Sequence, residues 1–151
     1  MTMPTVVRTR AVPATPERLW DVVADPERLP EWWPGVRRVE DATRSAWTTV
    51  LGTPKGKNLR ADYTLLHAEH PRRLAWRHEL EESPFERILS ESLTELELEP
   101  DDDGTVVSLT TRLRLRGLSR FGGFQVTRAT RRQLDGALEG LQELARGWEV
   151  H

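Results

Sequence analysis

Between residues 36 and 116 the apolar side chains recur at every second position, and from about residue 122 onward they recur at every third or fourth. This change of period limits the fold more than any other feature of the chain. Period two marks half-buried strands, and spacings of three and four mark an amphipathic helix. Segments of the first kind fall near 36–42, 46–52, 58–68, 73–80, 85–99 and 104–116, with an earlier one at 5–12. TPKGKN, EHPR and PDDDGT between them read as turns. Consecutive strands with short connections pair antiparallel. The closing segment is long enough for one helix of about thirty residues. Phe124, Thr127, Arg131, Leu134, Leu138, Leu141, Ala145 and Trp148 form its stripe, and Arg128, Arg132, Asp135, Glu139 and Arg146 lie off it. A sheet with one apolar face needs a cover. The terminal helix is the only element long enough, so the sheet is expected to curl around it, giving an α+β fold.

Between the first strand and the rest the chain reads ATPERLWDVVADPERLPEWWPG. Thr15 suits an N-cap and Pro16 the first helical position, with Arg18–Ala24 completing a short helix that presents Leu19, Trp20 and Val23. Pro26 opens a second short helical stretch, which Pro34 and Gly35 end.

Composition excludes several function classes. At 151 residues the chain has the length of one domain, 1–151. A formal net charge of −2 provides no field for nucleic acid or an anionic membrane. The absence of cysteine removes disulfides, thiol nucleophiles and cysteine metal sites. No apolar run reaches the roughly 18 residues of a membrane span, and the N-terminus lacks the apolar centre of a signal peptide. A cytoplasmic protein is the expectation. His67, Glu69 and His70 sit at a strand end before Pro71, where solvent exposure is a better reading than a zinc site. GTPKGK has its glycines one residue too close for a phosphate-binding loop and no Ser or Thr after Lys57. No G-x-S-x-G and no dinucleotide fingerprint occurs. Neither metal nor cofactor is expected.

ATPERLWDVVADPERLPEWWPGVRRVE, HPRRLAWRHE, LELEPDDDGTVVSLTTRLRLRG and the closing FGGF and LEGLQELARGWEV resemble the START-like (Bet v 1-like, SRPBCC) superfamily, in its polyketide cyclase/dehydrase branch. The resemblance covers essentially the whole chain. It implies a helix-grip fold: a curved antiparallel sheet in β-α-α-β6-α order wrapped around the long C-terminal helix. It also implies a cavity between sheet and helix, with the two short helices closing one end. The superfamily hosts ligand carriers, cyclases, hydrolase-like enzymes and chaperone regulators, so it implies a fold more sharply than a function.

Within that frame Trp32 and Trp33 fall at the corner where the second short helix turns into the sheet. One indole is expected to line the cavity and the other to shield the corner; packing of both at the corner is the alternative. Strand phasing supplies further candidates. Leu96 and Leu98 place Ile88, Ser90, Ser92 and Thr94 on the inner face unless a bulge intervenes, opposite Val107, Leu109, Thr111, Leu113 and Leu115. Ser90, Ser92 and Thr94 are small and hydroxylic where a packed core prefers Leu or Val; small residues leave volume, and buried hydroxyls need partners. The outer face carries Glu91, Glu95 and Glu97 against Arg112, Arg114 and Arg116, a solvated ladder of opposite charges. Leu74, Trp76, His78 and Leu80 share an inward phase, which makes His78 the candidate inward histidine. Arg131 is a cation on the helix stripe; it either reaches solvent along its stem, pairs with a carboxylate, or anchors a ligand. The phase of Tyr63, the one tyrosine, is ambiguous. Gly136 and Gly140 are expected to admit the sheet backbone. The expected function is binding of a small hydrophobic molecule (a lipid, isoprenoid or polyketide-like compound) by Trp32, Trp33, Tyr63, Trp76, His78, Ser90, Ser92, Thr94, Thr127, Arg131 and Leu134. The alternative is a polyketide aromatase/cyclase using the same pocket, with His78 and Arg131 as catalytic candidates. A homodimer closing the groove is also left open.

Overall fold

A computed structural model describes residues 4–116 and 123–148. The first strand, β1, spans Thr5–Val12. The Thr15 hydroxyl then accepts a hydrogen bond from the Arg18 amide at 3.2 Å and starts helix α1, Pro16–Val23, with Pro16 in its first turn. The second short stretch is a 3-10 helix, Pro26–Glu31, capped by Asp25. Its tighter geometry follows from its six-residue length and from Pro30, which cannot donate to a helical ladder.

Six strands follow: β2 Val36–Glu40, β3 Ala46–Gly52, β4 Asn58–Glu69, β5 Arg73–Glu79, β6 Leu89–Asp101 and β7 Gly104–Leu115. With β1 they form one antiparallel sheet in the order β1-β7-β6-β5-β4-β3-β2. Helix α2, Gly123–Trp148, lies on its inner face. The curved sheet with a long C-terminal helix is the helix-grip arrangement expected. Phe121 and Gly122, which open the closing motif, and Val150, which ends it, lie outside the described residues.

The outer ladder is as read. Arg112 approaches Glu95 at 3.5 Å and Arg114 approaches Glu91 at 3.7 Å, while Arg73 joins Glu95 from the neighbouring strand. These pairs are exposed and contribute little each. The inner face departs from the reading at one point. The segment from Phe85 to Ile88 is a turn, closed by amides of Ile88 and Leu89 on the Phe85 carbonyl. The β6–β7 register then shifts between Leu89 and Glu91. This bulge turns Leu89 inward, to a small core with Leu80 and Leu113, and leaves Ile88 and Ser90 exposed. Beyond it the expected phase holds, with Thr94, Leu96 and Leu98 buried against Thr111, Leu109 and Val107.

The helix stripe is shorter than expected. Leu134, Ala137, Leu138, Leu141 and Ala145 are buried, whereas Phe124 is 68% exposed and Arg131 is exposed. The first half of α2 packs mainly through Gly123, against Leu115, and through Val126. The second half is held on both flanks. Arg8 and Arg10 on the inner face of β1 pair with Asp135 at 2.7 Å and Glu139 at 3.7 Å, and Arg10 also reaches Gln142 at 3.2 Å. On the other flank lies the tryptophan corner. A Cβ built on Gly140 would stand 2.3 Å from the Trp32 carbonyl oxygen, and one on Gly136 would stand 2.7 Å from Cγ of Pro34. The two glycines therefore admit the Trp32–Pro34 corner, not the sheet backbone as expected. At the far end Trp148 lies beneath the Arg18 guanidinium, 4.6 Å from its ring centroid.

Candidate functional site

With the corner wedged on α2, the hollow of the fold opens between the short helices and the β2–β5 half of the sheet. Val23, Ala24 and Pro26 line it at the α1 junction, Leu29 from the 3-10 helix, and Trp32 and Trp33 from the corner. The sheet contributes Val36 from β2, Trp47, Thr49 and Leu51 from β3, Tyr63 and Leu65 from β4, and Leu74 and Trp76 from β5. Arg44, exposed on the β2–β3 turn, stands at the rim. No residue of α2 lines the space, so its position corrects the expected one, between sheet and long helix. The physical cause is the glycine contact: Trp32 and Pro34 occupy the approach to α2 that the guest was expected to share. The hollow measures about 620 Å³ with its open mouth, of which about 50 Å³ admits the centre of a water-sized body. Since one water needs roughly 10–15 Å³ on that measure, the present arrangement holds a few water-sized groups.

Two rows of aromatic rings build its walls and continue behind them. Trp47, Tyr63 and His78 stack across β3, β4 and β5, with centroids 5.9 and 4.8 Å apart, and Phe85 meets His78 edge-on at 5.3 Å. Trp76 faces Trp33 at 6.0 Å, and Trp33 meets Trp32 edge-on at 5.3 Å. Trp32 is 4% exposed, Trp33 half-buried. Each indole lines the pocket, the first as its deep wall and the second nearer solvent.

Polar groups are few. Burial pushes the Tyr63 phenol up to about 12, with the neighbouring Thr49 hydroxyl offsetting part of the effect. Tyr63 thus stays protonated and can donate a hydrogen bond across the ordinary pH range. Burial lowers the pKa of His78, and the nearby Asp62 and Glu79 charges oppose that shift. The buried Nε2 of His78 and Nε1 of Trp32 have no hydrogen-bond partner among the described residues.

Of the residues chosen from sequence, Trp32, Trp33, Tyr63 and Trp76 converge on the pocket. His78 is inward but outside the lining, behind Tyr63 and against Phe85. Ser92 is half-buried on β6. The Thr94 hydroxyl is paired with that of Thr111 at 3.0 Å, so a protein group satisfies it instead of a guest. Ser90 is exposed because of the bulge, its hydroxyl on the Arg114 carbonyl at 3.4 Å. Thr127 donates to the Gly123 carbonyl within its own helix at 2.8 Å. Leu134 lies in the main core, and Arg131 is exposed on α2. None of these seven lines the pocket. Sequence reasoning missed Trp47, Thr49, Leu51 and Leu65. Their signal was present: Trp47, Thr49 and Leu51 alternate on one strand, and Trp47 lies opposite Tyr63 on the next.

Known proteins bear on the fold. Solved structures of similar architecture include the di-domain ARO/CYC StfQ from the steffimycin biosynthetic pathway, at TM-score 0.78 and 14% identity over 97% of this chain. The chain spans about half of StfQ, 52% of its length. A START superfamily protein from Mycobacterium smegmatis superposes at TM-score 0.76 and 14% identity, covering 95% of this chain and 98% of that one. A protein of unknown function from Staphylococcus aureus gives TM-score 0.79 at 10% identity, covering 99% and 98%. No curated protein is similar enough in sequence to count as a relative. The family model for polyketide cyclase/dehydrase and lipid transport proteins matches residues 3–146, and the chain belongs to that family.

Proposed function

We propose that this protein binds a small, largely apolar molecule in the aromatic pocket between the short helices and β2–β5. The observation that carries the reading is the lining itself. Four of the six tryptophans converge on one open-mouthed hollow, together with aliphatic side chains and three polar ones, Arg44, Thr49 and Tyr63. Burying apolar guest surface there contributes roughly 25 cal/mol per Å², and the Tyr63 and Thr49 hydroxyls orient a guest that carries an oxygen. A cyclase needs an acid and a base converging on one substrate chain. His78 and Arg131, the catalytic candidates, do not meet in this hollow, which favours binding over turnover.

Protein purified from its own host and sprayed under native conditions is expected to carry a lipophile. A panel of lipids and polyketide-like aromatics is expected to quench or shift the tryptophan emission and to raise Tm. No adduct, no emission change and no thermal shift across the panel would overturn the reading. A cyclisation assay adds the contrast: turnover that disappears with His78→Ala would move the assignment to an enzyme.

A further inference from the structure

The pocket wall carries one charged side chain, Arg44. Three nearby arginines have acidic partners: Arg38 and Arg60 share Glu40, and Arg28 reaches Glu31 at 2.8 Å; Arg37 lies over Gly52 and does not line the pocket. Arg44 makes no ion pair or hydrogen bond among the described residues. It sits on the turn between β2 and β3, exposed, at the rim of a hollow whose interior is indole, phenol and aliphatic carbon. A guanidinium in that position offers a planar fork of donors to a carboxylate. The apolar wall on one side reduces the screening such a contact has in open water.

From this charge placement we infer that the guest is amphiphilic, with an apolar body inside and one carboxylate held by Arg44 at the mouth. The inference rests on the pocket reading proposed above and adds the head group to it. A guest so oriented enters tail first, and its polar end stays at the surface, where desolvation costs least.

Titration of the full chain with dodecanoate and with dodecanol, both below their aggregation limits and followed by tryptophan emission, tests it. Dodecanoate is expected to bind about tenfold more tightly than dodecanol, a difference of about 1.4 kcal/mol. Arg44→Ala is expected to abolish that advantage and Arg44→Glu to reverse it, each read as the ratio of the two affinities within one variant. Raising the ionic strength about tenfold is expected to shrink the advantage in the parent protein. Equal affinities for the two probes, or an advantage that survives Arg44→Glu, would overturn the head-group assignment and leave the apolar pocket standing. If neither probe binds the parent protein, the pocket reading falls and the head-group assignment falls with it.

Discussion

The seat of the tryptophan corner on α2 can be tested with single methyl groups. Replacing a mid-helix glycine by alanine stabilises a helix by up to about 1 kcal/mol through propensity alone. At Gly147, one residue from the end of α2, a new Cβ meets nothing within 4 Å, so a small part of that gain is expected with no steric cost. At Gly140 the new methyl lies 2.3 Å from the Trp32 carbonyl oxygen, 2.9 Å from its Cα and 3.0 Å from its carbonyl carbon. All three are backbone atoms of a buried corner and cannot swing aside as a flexible side chain can. Overpacking of this kind costs roughly 1–3 kcal/mol, and a clash this short belongs at the upper end. Subtracting the propensity gain leaves a net loss of about 1–2 kcal/mol for Gly140→Ala. For a domain of this size, that corresponds to a fall in Tm of roughly 2–8 °C. Gly136→Ala belongs between the two, since its methyl meets ring carbons of Pro34, the nearest at 2.7 Å, and the ring can repucker. Thermal and urea unfolding of the three variants should therefore rank Gly147→Ala above the parent, Gly136→Ala near it and Gly140→Ala below. Stabilisation by Gly140→Ala equal to that of Gly147→Ala would show that the corner does not press on α2. The account of why the hollow opens away from that helix would then be wrong.

Three further outcomes follow from the same geometry. Tyr63 is the sole tyrosine, so ultraviolet difference titration reads it alone, and phenolate absorbance should appear near pH 12 rather than near 10. Because the unfolded phenol ionises first, stability should decline between about pH 10 and 12, and Tyr63→Phe should remove that part of the decline. His78 has the opposite sign: burial depresses its pKa, so the unfolded chain takes up the proton first as pH drops below the ordinary histidine value of 6.5. Stability should fall with acid in that window, and urea midpoints for His78→Gln should fall less steeply there. The buried Thr94 and Thr111 hydroxyls satisfy each other at 3.0 Å. Thr94→Val or Thr111→Val alone should cost about 1–3 kcal/mol by stranding one hydroxyl, and the double variant should recover most of the loss, which a double-mutant cycle in urea measures.

The strand run and the closing helix were legible because periodicity is a local signal that survives in a single sequence. The same signal fell short at two places. Alternation through residues 85–99 left a bulge open, with Leu89 and Leu93 on the opposite phase, but could not decide it, since the register shift is fixed by the turn at Phe85–Ile88. On α2 the stripe extended too far, because spacing shows which residues share a face but not how much of that face finds a partner. Phe124 and Arg131 share it and remain exposed. The pocket was half legible. Its aromatic residues stood out by type, but which wall they build depends on the corner's seat at Gly136 and Gly140, a contact between segments more than a hundred residues apart. Arg44 gave no signal at all: it is one of 20 arginines, and only its place at the rim distinguishes it.

That contact also decides which part of the pocket can yield. The backbone of Trp32 is pressed on Gly140 and its indole is 4% exposed, so moving it means lifting the corner off the helix that organises the core. Trp33 is half-buried and meets Trp32 and Trp76 through edge contacts, with centroids at 5.3 and 6.0 Å. Aromatic pairs of that geometry contribute about 0.5–1.5 kcal/mol each beyond area burial, far less than undocking the corner. On the binding reading proposed above, a guest larger than the few water-sized groups the hollow now admits is expected to displace Trp33 and leave Trp32 in place. The two adjacent tryptophans thus differ in how firmly they are held: Trp32 is fixed to the core, and Trp33 is the part of the wall that costs least to move.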